Sequence, residues 1–184
     1  IACLEAIRKA TDKTLRVDAN EGWDRETALW WLERLPDWNV DLVEQPLPRS
    51  DVDGMRMICR KNGGRIPLIL DESVQNSRDI PATSSECDGI NIKLAKCGGL
   101  LEARKMISIA RERGLQVMVG CMVESSLGIS AAAHIASVTA SGFAGRRVIT
   151  LRSTTETFGV GTRMAEPSSR PARCGSTSPT ARAA

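Results

Sequence analysis

A short apolar run that ends in a polar residue recurs along residues 1–138, each time followed by a helix-like stretch. No other feature restricts the fold as much. The runs are Leu15-Arg-Val-Asp18, Asp41-Leu-Val-Glu44, Leu68-Ile-Leu-Asp71, Gly89-Ile-Asn-Ile-Lys93 and Gln116-Val-Met-Val-Gly120. Asp24 is placed to cap a helix that ends near Leu35, before Pro36, and Asp51 to cap one carrying Met55 and Ile58. Leu100, Ala103, Ile107 and Ala110 recur at helical spacing, with Gly114 at the C-cap position. Ser125 opens a stretch whose Ile129–Val138 part is apolar almost all round, which predicts a well-buried helix with His134 packed in the core. Strand, loop and helix repeat at roughly 25 residues, a βα series that builds a parallel sheet. Five strands in unbroken βα order favour a (β/α) barrel, although a doubly wound sheet fits the same pattern.

The 184 residues can bury a sizeable core, and no apolar run approaches the ~20 residues of a membrane span. The net charge of +3 is unevenly spread. Residues 1–138 carry 18 Lys+Arg against 20 Asp+Glu, whereas residues 139–184 carry seven Arg, no Lys and two Glu. The body is therefore mildly acidic, and an aromatic content of 3% leaves little surface for base stacking. Nucleic acid and membranes are thus not expected partners. After Val138 the apolar periodicity stops. Fourteen Ser+Thr, with Arg, Ala, Gly and Pro, make residues 139–184 read as a disordered tail or as the translation of a shifted frame. Ile1 falls inside a helix-like stretch, so the chain is expected to start part-way through a gene product. Six cysteines without a C-x-x-C pair, and no signal peptide, read as reduced thiols of a cytoplasmic protein.

Three of the strands end in a carboxylate, Asp18, Glu44 and Asp71, and a fourth ends in Lys93. In a parallel barrel all these ends open on one face, where active sites sit. Strand parity puts Leu42 with Glu44, Ile69 with Asp71, and Asn91 with Lys93. A single Asp at a strand end is more often a turn former or helix cap. Three in register repel one another unless a hard cation neutralises them, and Mg²⁺ suits an all-oxygen donor set. The cation's field and partial burial are expected to lower the pKa of Lys93, so that it acts as a base. Lys96 reads as a solvated strand-end charge, Gly98-Gly99 as a tight turn, and Trp30-Trp31 as helix packing.

The stretches Val17-Asp-Ala-Asn-Glu-Gly-Trp23, Val43-Glu-Gln-Pro-Leu-Pro48, Leu70-Asp-Glu-Ser73, Asn91-Ile-Lys-Leu-Ala-Lys-Cys-Gly-Gly-Leu100 and Gly120-Cys-Met-Val-Glu-Ser-Ser-Leu-Gly128 resemble the enolase superfamily. Within it they are most similar to the muconate-cycloisomerase-type subgroup and its dipeptide epimerases, of the L-Ala-D/L-Glu type. The resemblance implies a partial TIM-like barrel, strands about three to seven of the enolase-type C-terminal barrel. It implies one Mg²⁺ on Asp18, Glu44 and Asp71, and Lys93 as the acid/base lysine. Asn20 and Glu124 are implied to orient substrate or ligands, and Cys121 and Met122 to line the pocket. The implied reaction removes the proton α to a carboxylate, with a metal-stabilised enolate, from a small dipeptide or carboxylate substrate. N-acylamino acid racemases, o-succinylbenzoate synthases and muconate cycloisomerases share this chemistry and form the alternative, and homo-oligomers are left open.

The sequence also departs from that family. The second base is a Lys of a K-x-K motif on an earlier strand, expected to lie before Ile1 together with the capping domain. An Asp-x-Asp on the eighth strand, which holds the substrate's amino group, is replaced by Arg146-Arg-Val-Ile-Thr-Leu-Arg152. A chain without these parts is expected to expose sheet edges, to associate, and to be a poor or inactive enzyme.

Overall fold

The computed structural model describes residues 1–140. Helix α1 (Ala2–Ala10) leads into strand β1 (Leu15–Asp18). Helix α2 (Arg25–Arg34) follows and runs into a 3-10 turn over Leu35–Trp38, where Pro36 ends the α-helical pattern. The Asp24 side chain accepts from Thr27 N at 2.8 Å, so the expected N-cap is present. Strand β2 (Val40–Glu44) precedes α3 (Val52–Asn62), which Asp51 caps through Gly54 N at 3.1 Å. Next come β3 (Leu68–Leu70), the short helix α4 (Ile80–Thr83) and β4 (Gly89–Lys93). The one-turn α5 (Leu94–Cys97) meets α6 (Leu100–Glu112) through Gly98 and Gly99, the expected tight turn. Gly114, at a left-handed φ of 70°, stands just beyond the C-cap of α6. Strand β5 (Gln116–Gly120) and α7 (Ser126–Ala140) complete the described residues. Helix α7 extends past the expected boundary at residue 138; the rest of the expected tail lies outside the described residues.

All five strands are parallel and stand in the order β1-β2-β3-β4-β5. A doubly wound sheet reverses its strand order, whereas sequential parallel order curls toward a barrel. The fold is therefore a half-barrel with helices outside, and β1 and β5 are its outer strands among the described residues. The main core lies between the sheet and the helices. Val43, Leu68, Leu70, Ile90, Ile92, Val117 and Val119 meet Leu32, Met55, Ile58, Met106, Ile107 and Ile135 there. Leu42, Ile69 and Met118 form a separate apolar floor on the opposite, concave face. Parity puts Leu42 and Ile69 on the carboxylate side, and both pack in this floor and not in the main core.

Two packing expectations need correction. Among the described side chains of α7, Ala132, Ile135 and Ala136 face inward, whereas Leu127 is 78% exposed. His134 is exposed rather than in the core, and its Nδ1 lies 2.7 Å from Ser130 O. The helical period turns position 134 away from the face that Ala132 and Ile135 present to the core. The Trp30-Trp31 pair does pack as expected. Trp31 stacks with Trp23 at 6.1 Å and meets Trp30 edge-on at 4.8 Å, and Arg34 lies over the Trp30 ring. Among the described residues no helix is long and apolar enough to cross a membrane, and Cys3, Cys59, Cys87 and Cys97 are free thiols.

Candidate active site

The carboxyl ends of the strands surround a cavity of about 740 Å³ lined by Asp18, Asn20, Arg49, Asp71, Glu72, Gln75, Lys93, Ala95, Lys96, Cys121, Met122 and Val123. Parallel direction puts every strand end on this side, and the register sets Asp18 beside Glu44 and Lys93 beside Gly120. Asp71 follows β3 directly. Lys93 and Lys96 both pair with its carboxylate, Lys93 on Oδ2 and Lys96 on Oδ1. Lys96 also donates to the carbonyls of Asp71, at 2.6 Å, and Asn91, at 3.3 Å. This corrects the expectation of a solvated Lys96: its side chain is 11% exposed, because α5 folds it back over the end of β3.

Glu44 is buried and accepts from Asn91 Nδ2 at 2.7 Å. Asn91 reaches it from β4 across the concave face because β5 presents a glycine there. A Cβ on Gly120 would stand 2.7 Å from Asn91 Oδ1. Gly120→Ala should therefore destabilise the fold by about 1–3 kcal/mol. A urea midpoint equal to that of the unmodified chain would show that Asn91 is free to move.

Asn20 takes a left-handed φ of 48°, and its N–H donates to Asp18 Oδ1 at 2.9 Å, which turns the chain into the cavity. Cys121 is buried at the cavity wall, and Met122 is half exposed there. Glu124 does not line the cavity. Its Oε1 accepts from Met122 N at 3.1 Å and so shapes the loop that carries Met122 and Val123.

Burial raises the pKa of Asp18, and the nearby Asp71 charge adds to this. Burial pushes Glu44 up to about 7, with Asp18 and Asp71 adding to it and the Asn91 hydrogen bond opposing. For Lys93 the largest single influence is burial, which acts downward. The carboxylates of Asp71, Glu44 and Glu72 together outweigh it and hold the ammonium above the ordinary lysine value. The protein's own groups thus work against the expected depression of Lys93: three nearby anions favour its charged form.

As they stand, no three Asp, Glu, His or Cys side chains among the described residues are gathered closely enough to hold a metal ion. Asp71 is taken up by two lysines, and Glu44 is turned to Asn91. The donor set nonetheless fits a hard divalent cation. Asp18, Glu44 and Asp71 are oxygen donors at neighbouring strand ends and feel one another's charge, and the Glu72 Oε2 atom beside them is buried without a partner. Glu44 also makes stability depend on pH. Its folded pKa lies above its unfolded value of 4.5, so the folded state holds the extra proton between pH 4.5 and about 7. Its contribution is present below pH 4.5 and is lost as pH rises to about 7, a fall of roughly 3 kcal/mol. Urea midpoints at pH 5 and 7.5 should therefore differ less in Glu44→Gln; an unchanged difference would remove Glu44 as the cause.

Among curated proteins, the chain is 45% identical over 130 residues to a hydrophobic dipeptide epimerase of Flavobacteria bacterium (strain MS024-2A), covering 71% of this chain and 36% of that protein. It is 42% identical over 132 residues to the L-Ala-D/L-Glu epimerase of Bacteroides thetaiotaomicron, covering 71% of this chain and 34% of the relative. Residues 1–163 match the Enolase C-terminal domain-like family. The chain belongs to that family. Among solved structures, the dipeptide epimerase from Enterococcus faecalis V583, complexed with Mg and the dipeptide L-Leu-L-Tyr, superposes with a TM-score of 0.73 at 35% identity. That match covers 81% of this chain and 42% of the other. The chain thus spans well under half the length of these relatives. This enolase-type segment carries the expected barrel topology, and the match reaches beyond residue 138.

Proposed function

We propose that the protein takes part in Mg²⁺-dependent epimerisation of dipeptides, as a cytoplasmic isomerase of the epimerase and racemase type. The observation that carries this reading is the convergence of Asp18, Asp71, Lys93 and Lys96 on one cavity at the carboxyl ends of the parallel strands. Asp18, Glu44 and Asp71 are the residues that would hold the cation. Bound there, a divalent cation supplies the positive charge that offsets the oxyanion developing on the substrate. Lys93 takes the α-proton on its Nζ and serves one face of the α-carbon. To do so it must be the neutral amine, which the surrounding carboxylates disfavour until their charge is met by something else. Lys96 donates to the Asp71 carboxylate and to two backbone carbonyls, which separates its role from that of Lys93. Asn20, Cys121 and Met122 line the space left for the dipeptide, and Glu124 holds the loop that presents Met122. The choice of dipeptides over other carboxylates draws its support from the epimerases with which the chain shares 45% and 42% identity.

The test is exchange of the dipeptide α-proton with solvent, which needs a base on one face only. L-Ala-L-Glu is incubated with the purified protein in D₂O and followed by proton NMR. Slow exchange that depends on Mg²⁺ is expected. A folded protein that gives no exchange above the metal-free control would count against the reading.

A further inference from the structure

Gln45 combines three properties that do not usually occur together. It is fully buried, its φ of 32° lies in the left-handed region, and it is not glycine. Such a backbone costs roughly 1–3 kcal/mol for an ordinary residue and persists only where the surroundings demand that side chain. Here the demand is visible. Oε1 accepts from Asp71 N at 3.0 Å and from Ser73 N at 3.3 Å. Nε2 donates to Leu47 O and to Ser73 Oγ, both at 2.9 Å. A carboxamide has two donor hydrogens and two acceptor positions, and all four are used. A flipped amide would face two N–H groups with its own NH₂, so the orientation is unambiguous. The backbone is engaged as well: Gln45 N donates to Ile69 O, and Glu21 N donates to Gln45 O, both at 2.9 Å. One residue, directly after Glu44, therefore ties the loop after β1 to the loop after β3.

We propose that Gln45 is the positioning residue that sets where Asp71 stands relative to Glu44, and through that the cation affinity of the site. The first part rests on the hydrogen bonds alone; the second rests on the metal reading proposed above. Glycine would relieve the backbone and lose the amide. Methionine keeps the volume and loses all four bonds. Glutamate keeps the acceptor oxygen and loses both Nε2 donor bonds, to Leu47 O and to Ser73 Oγ.

The experiment follows single-residue amide hydrogen exchange in the full chain, together with Mn²⁺ binding by electron paramagnetic resonance. In Gln45→Met the Asp71 and Ser73 amides should exchange about tenfold faster or more, while the Ile92 and Val119 amides keep their protection. Mn²⁺ affinity should fall by about 10–100-fold. Gln45→Glu should restore protection of the Asp71 and Ser73 amides, which a merely bulk-filling role would not require. It also serves as the second variant if Gln45→Met does not fold. Unchanged exchange at Asp71 and Ser73, a uniform rise across the sheet, or a Glu variant that leaves these two amides open would overturn the positioning role. Unchanged Mn²⁺ affinity in a variant with opened amides would overturn the link to the cation. If the folded unmodified chain binds no Mn²⁺, the metal reading and that link fail together, while the amide pattern still decides whether Gln45 positions Asp71.

Discussion

Replacing Lys93 with alanine is expected to lower Mg²⁺-dependent α-proton exchange by about 10²–10⁴-fold, the usual loss when an acid/base group is removed. The side chain is 15% exposed, opens onto the cavity and pairs with Asp71. Lys96 cannot replace it, because its ammonium is already held by the Asp71 carboxylate and by two backbone carbonyls. The two lysines therefore give different mutant phenotypes. Loss of Lys93 removes the base and leaves Lys96 on Asp71. Loss of Lys96 frees the end of β3 and should show first in stability. The measurement is the NMR exchange rate of each variant beside its urea midpoint. A Lys93→Ala protein that exchanges as fast as the unmodified one would remove Lys93 as the base.

Asp71→Asn is expected to have the largest effect on stability. Asp71 is 3% exposed and is the shared counter-charge of two ammonium groups that are themselves largely buried. Removing one partner from a buried pair leaves an uncompensated charge and costs about 3–5 kcal/mol. Cation binding should be lost in the same variant, because one of the three oxygen donors is gone. The contrast with Glu44→Gln separates the two carboxylates. Glu44 is destabilising when charged, since burial pushes its pKa up to about 7. Its neutral replacement should therefore raise stability at pH 7.5, while the neutral replacement of Asp71 should lower it. Urea titrations of both variants at one pH test the pair; equal and same-signed shifts would contradict the difference in their partners.

Much of this architecture is legible in local pattern. The runs Leu15–Asp18, Gly89–Lys93 and Gln116–Gly120 become strands with those same ends, and Asp24 and Asp51 cap the helices assigned to them. Strand alternation, helix period and capping act over one to four residues, so the sequence carries them without help from the rest of the chain. The common rim for Asp18, Glu44, Asp71 and Lys93 follows from the same source. Parallel strands of a βα series must all end on one side.

What each of those side chains does at the rim was decided by contacts across the fold. Asn91 meets Glu44 from 47 positions away, Lys96 meets Asp71 from 25, and the Gln45 amide meets Asp71 from 26. These distances turn an apparently solvated lysine into a buried tether and an ordinary glutamine into the link between two strand ends. They also gather three anions around Lys93 that favour its charged form, because the sign of a pKa change depends on the whole set of neighbouring charges and not on strand position. The βα order and the residue types at the strand ends follow from local geometry and are readable along the chain. Which charges pair, and which buried amides hold them in place, emerges once the chain is folded, because hydrogen bonds and Coulomb energies are set by distance in space and not by separation along the chain.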